Sequence, residues 1–144
     1  MKPDWTLIAN ATRARLLQQE QGAPMVILES FIHPAGGRGK AGRARDDGVG
    51  GAAYEPRVDA RREEHTEFAR ELAHLLEQEA QLGHFRSLTI FAASPFLGEI
   101  KAELGRATLR LLVTAQELDL TSLGLSELEE RIAQELALHG AAIH

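Results

Sequence analysis

Ser87-Leu88-Thr89-Ile90-Phe91-Ala92-Ala93-Ser94-Pro95-Phe96 is the stretch on which the fold turns. Ser87–Ala93 is nearly continuously apolar, as expected of a strand covered on both faces. Ser94-Pro95 then reads as a helix start, with Ser94 at the N-cap and Pro95 at the first helical position. Upstream, from about Asp59, Phe68, Leu72, Leu75, Leu76 and Leu82 form one stripe of a long amphipathic helix, and Gly83 supplies a left-handed stop. Downstream, Phe96, Leu97, Ile100 and Leu104 line a second helix that Gly105 ends, and Thr108–Thr114 reads as a further strand. Ser126 and Glu129 make a capping box for a last helix, with Leu128, Ile132 and Leu136 on its apolar face and Gly140 closing it.

The N-terminal part is strand-like. Trp5–Asn10 and Arg15–Glu20 fit a hairpin, although the Ala, Gln and Glu there would also suit a helix. Met25–His33 reads as a third strand, ended by Pro34. The order of three strands, a loop, and then alternating helices and strands predicts an α/β fold. It is expected to be a single domain over 1–144, a mixed sheet of about five strands with helices on its faces.

Between Pro34 and Pro56 lie seven of the 13 glycines, together with Arg38, Lys40, Arg43 and Arg45. No apolar face can be built from it, so a mobile loop is expected over about 35–57. Gly37-Arg38-Gly39-Lys40-Ala41-Gly42 matches a dinucleotide fingerprint in letters only, because no helix opens after it. Gly39-Lys40 fails as a phosphate loop, since Ala41 stands where a magnesium-binding Ser or Thr is needed. What remains is a basic segment beside a strand end. Its four cationic side chains are candidate RNA or phosphate contacts that give affinity without sequence readout. Asp46, Asp47 and Glu55 share the segment, and a merely solvated loop stays open.

Charge is uneven along the chain. Residues 1–62 carry ten Lys/Arg and seven Asp/Glu, or +3; residues 63–144 carry six and fourteen, or −8, summing to the net −5. The absence of cysteine excludes a disulfide framework, a thiol nucleophile and Cys-ligated metal sites. The histidines show no metal-ligand spacing, so no metal or cofactor is expected. His33, at the loop's base, and Ser94, at a strand-to-helix turn, are auxiliary candidates. Ser94 lacks the glycines of a nucleophile elbow. No catalytic constellation emerges. No apolar run approaches a membrane span, and the N-terminus is unlike a secretory signal, so a cytoplasmic protein without membrane contact is expected.

Several strings resemble the bacterial host attachment protein family. They are Ile8-Ala9-Asn10 with Arg13-Ala14-Arg15-Leu16, Phe31-Ile32-His33-Pro34, Gly42–Gly48, Glu64-His65, Phe68–Leu72, Ala92–Gly98 and Glu117–Thr121. The family is in turn similar to the middle domain of archaeo-eukaryotic peptide-chain release factors, which implies an RNase H-like fold. In release factors the mobile loop carries Gly-Gly-Gln. The corresponding stretch here looks like Gly50-Gly51-Ala52, so the glutamine that positions water is missing. The resemblance implies a non-catalytic protein that binds ribosome or tRNA. A protein–protein module or homodimer acting in host attachment, and a weak peptidyl-tRNA hydrolase, stay open beside it.

Overall fold

A computed structural model of the chain describes residues 2–32 and 54–143, with side chains described over 2–32 and 64–137. In chain order the elements are β1 (Asp4–Ala9), β2 (Arg13–Gln19), β3 (Val26–Ile32), α1 (Tyr54–Gln81), β4 (Ser87–Ala92), α2 (Phe96–Glu103), α3 (Arg106–Leu111), β5 (Leu112–Glu117) and α4 (Leu125–Ile143). One five-stranded sheet has the order β3-β2-β1-β4-β5. β2 runs antiparallel to both its neighbours, whereas β1, β4 and β5 are mutually parallel. This is the topology of the RNase H-like α/β fold.

The two central strands, β1 and β4, are buried on both faces, which is why Ser87–Ala92 reads as an unbroken apolar run. On one face, Trp5, Leu7, Ile90 and Ala92 meet Phe68, Leu72 and Leu76 of α1 and Phe96 and Ile100 of α2. Trp5 stacks on Phe85 and Phe68 on Phe96. On the other face, Ile8, Leu17 and Phe91 meet Leu128 and Ile132 of α4. Each such large side chain contributes about 1.5–3 kcal/mol relative to exposure.

Gly83 ends α1 as its sequence position predicts. Its φ is +75°, and its N–H donates to Ala80 O at 3.0 Å while His84 N–H donates to Glu79 O at 3.0 Å, a Schellman closure. At its other end α1 starts at Tyr54 rather than near Asp59. Pro56 then falls in the first turn, where its missing N–H has no helical partner to lose. Residues 54–57 of the expected loop therefore belong to the helix, and the rest of that loop lies outside the described residues.

Four local expectations are corrected. Residues 106–111 are helical, and the strand predicted over Thr108–Thr114 begins only at Leu112. Pro95, not Ser94, holds the N-cap position of α2, after a cis Ser94–Pro95 bond, and no side chain caps that helix. α4 begins at Leu125, so Glu127 rather than Glu129 reaches back, accepting from Gly124 N–H at 3.0 Å. Glu129 accepts instead from Met25 N–H at 2.8 Å. Gly140 does not close α4, which runs on to Ile143.

Candidate functional site

The parallel strands β1 and β4 end side by side, Ala9 opposite Ala92, and one further bond joins Ala93 N–H to Ala9 O at 3.2 Å. Beyond it the chains part. After Ala9 the backbone reverses into β2 around the Asn10 side chain, whose Oδ1 accepts from Thr12 N–H at 2.9 Å and Arg13 N–H at 3.0 Å. After Ala93 the chain turns through Ser94-Pro95 into α2. The gap between them is a cavity of about 360 Å³ that includes Asn10, Thr12, His65, Ser94 and Glu99 in its lining. Ligands of open α/β sheets bind at such carboxyl ends of strands.

The lining is uncharged apart from Glu99 and, when protonated, His65. Glu99 contributes to the lining, and its Oε1 is buried without a hydrogen-bond partner, an unpaired acceptor in the cavity wall. Asn10 Nδ2 is already committed, donating to Thr121 Oγ1 at 3.0 Å and to Asp119 Oδ2 at 3.4 Å. Burial opposes ionisation of Asp119, but bonds from Thr121 and Asn10 and the charge of Arg13 outweigh it and hold the carboxyl below its usual value. Arg15 braces the same joint by donating to the carbonyls of Thr121 and Leu123. Asp119 is thus a structural anchor. Phosphoryl transfer by paired metals needs several converging carboxylates; the described residues contain no cluster of three or more His, Asp or Glu groups able to hold an ion.

Of the residues singled out in the sequence, Ser94 is exposed and lines this cavity. His33, Arg38, Lys40, Arg43, Arg45, Gly50 and Gly51 lie outside the described residues. The described chain before that segment ends β3 at Ile32, which pairs with Arg13 at the cavity end of the sheet, and the described chain after it begins α1 at Tyr54, eleven residues before His65. Sequence patterns did not single out Asn10, Thr12, His65 or Glu99 as a group, because they come from different elements. The strings that carry the family resemblance did contain Asn10, His65, Ser94, Asp119 and Thr121, and they converge at this end.

Sheet order and strand-end cavity define an RNase H-like α/β domain. The chain belongs to the family described as "Protein required for attachment to host cells", whose model matches residues 5–132. No curated protein matches. Among solved structures it is similar to an archaeal translation termination factor, aRF1, at 12% identity and TM-score 0.46, covering 97% of this chain and 41% of that one. A structure titled "Archaeal protein" matches at 12% identity and TM-score 0.45, covering 97% and 40%. The Ppx/GppA phosphatase of Aquifex aeolicus matches at 14% identity and TM-score 0.42, covering 82% and 36%. The chain spans about two fifths of the length of the first two. Among the described residues no helix is long and apolar enough to cross a membrane.

Proposed function

We propose that the protein binds RNA without chemistry, with ribosome or tRNA as its partner, through the cavity end of the sheet. What supports this is that β3 ends at Ile32, just before the basic segment, at the same end of the sheet as a cavity lined by the hydrogen-bonding side chains of Thr12, His65 and Ser94. Arg38, Lys40, Arg43 and Arg45 would meet phosphates, with Gly50 and Gly51 letting the backbone approach. Glu99 disfavours a phosphate inside the cavity, so cationic and hydrogen-bonding roles separate between segment and cavity. The sequence resemblance to release-factor middle domains supports the translation machinery as the source of the RNA.

The test is recovery of tagged protein from lysate with and without RNase, at two salt concentrations. Salt-sensitive, RNase-abolished recovery of ribosomal RNA or tRNA is expected. Changing the four basic residues to Gln should lower the salt slope of purified RNA binding by about 3, at about 0.7 per lost phosphate contact on single strands. An unchanged slope would remove these residues from the interface.

One observation favours the second reading, a protein–protein module or homodimer. β3 is an edge strand of the sheet, with Val26, Ile27 and Leu28 each more than 40% exposed and Ile32 79% exposed. Such an apolar edge is a template for pairing with another strand. RNase-resistant recovery that Ile27→Lys abolishes would favour that reading over RNA.

Efficient peptidyl-tRNA hydrolysis is not expected. Ala52 offers no polar group to place water at the ester, and losing one positioned group commonly costs about 10²–10³ in rate. Peptide release from charged ribosomes should stay near the protein-free control. Release well above it, abolished by Gly51→Val but retained in His33→Ala, would make the loop backbone catalytic.

A further inference from the structure

A second cavity, of about 370 Å³, lies at the opposite end of β1 and β4, between the sheet and α4. Strand alternation puts Thr6 on the α4 face with Ile8, and Thr89 on that face with Phe91. The two threonines are partners in the parallel ladder, so their side chains stand next to each other on the cavity floor. Met25, Val113, Ile132 and Leu136 contribute apolar wall. Thr6 is 5% and Thr89 3% exposed, so the two side chains are covered except where they line the cavity. Two adjacent hydroxyls among apolar walls, in a cavity of ligand size, are the few convergent polar groups that orient a small molecule in such a site.

The charge at the mouth narrows what that is. Asp4 lines the rim, but its carboxylate is held by Arg86, at 2.9 and 3.2 Å, and by the Ser87 hydroxyl at 2.6 Å. The rim is therefore a neutralised pair, and among the described residues no charged group stands on the floor. A charged head reaching the threonines would lose its hydration with no counter-ion in return. We infer that this cavity binds a small neutral amphiphile, an apolar body bearing one hydroxyl or carbonyl group that hydrogen-bonds Thr6 and Thr89. The site is separate from the proposed RNA-binding end and does not depend on it.

The test uses 1-octanol as probe, with octanoate and octylammonium as charged counterparts of the same length, followed by amide chemical shifts and calorimetry on the full chain. Saturable octanol binding is expected, with shifts concentrated at Thr6, Thr89, Val113 and Ile132. The charged probes should bind at least about 10-fold more weakly. The double variant Thr6→Val/Thr89→Val should lose about 10-fold in octanol affinity, as two neutral hydrogen bonds imply. It should fold about as well as the parent, because valine keeps the branched shape and strand preference of threonine. Octanol shifts scattered over the surface, or octanoate binding as tightly as octanol, would overturn the inference on the parent protein alone. Unchanged octanol affinity in a folded double variant would do the same.

Discussion

Gly105→Ala is expected to destabilise the protein about as much as Glu77→Ala, and the two losses should not add. Gly105 occupies the N-cap of α3 with φ −85° and ψ 176°, a conformation open to alanine, so its backbone is not the difficulty. A Cβ there would stand 2.8 Å from Glu77 Cγ and closer still to the carboxylate. That carboxylate cannot swing aside freely. It accepts from Thr108 N–H at 3.0 Å, Thr108 Oγ1 at 2.9 Å and Ala107 N–H at 3.2 Å, doing for α3 from another helix what an N-cap side chain does locally. Thr108 is fully buried, so loss of the carboxylate strands its donors. Together these contributions amount to about 3 kcal/mol, or roughly a 10 °C fall in Tm. In the Glu77→Ala background, Gly105→Ala should be neutral or slightly stabilising, since the obstruction is gone and the unfolded chain is stiffened. Additive losses in the double-mutant cycle would show that Gly105 is required for another reason.

Glu77 also sets an acid limit. Bonds from Gln81, Thr108 and Ala107 outweigh burial and bring its carboxyl down from 4.5 to about 2. The folded-state value lies below the unfolded one, so this stabilisation is complete above pH 4.5 and is lost as pH falls towards 2. The stability gap between the parent and Glu77→Gln should accordingly narrow across that interval.

The same carboxylate explains why part of the fold was illegible in the sequence. Gly83 and the apolar run 87–92 are read correctly because local conformation and burial pattern are written in adjacent residues. Thr108-Leu109-Arg110-Leu111 has strand-like composition, yet it is helical because Glu77 satisfies the first N–H groups of α3 from about 30 residues away. The last helix shows a smaller displacement of the same kind. Ser126 and Glu129 look like a box, but Met25 takes the Glu129 carboxylate and Glu127 turns to Gly124. The strand-end cavity was beyond periodicity altogether. It exists because Asn10 and Ser94-Pro95 send adjacent strands in different directions, and pattern within one element carries no trace of that.

Asn10 fastens that end of the sheet, and its two obvious replacements are expected to fail differently. Asn10→Ala removes the acceptor for Thr12 N–H, Thr12 Oγ1 and Arg13 N–H, and the donor to Thr121 and Asp119. It should cost about 2–3 kcal/mol by the loss of a side-chain turn and its partners, with little dependence on pH between 5 and 8. Asn10→Asp keeps the acceptor that builds the turn. Its second oxygen, however, replaces the amide that donates to Asp119 Oδ2 at 3.4 Å, so two carboxylates face each other. One of the pair must then hold its proton to a higher pH than in the unfolded chain. A group whose folded-state pKa is raised stabilises below the unfolded value and loses that contribution as pH rises through the folded one. Asn10→Asp should therefore approach the parent at pH 5 and fall towards Asn10→Ala at pH 8, above the interval in which Glu77 titrates. Urea midpoints at the two pH values decide it. If Asn10→Asp tracks Asn10→Ala at both, the turn rather than the Asp119 contact governs this joint. If it matches the parent at both, the link between β1 and the Asp119–Thr121 segment contributes nothing to holding the rim of the cavity.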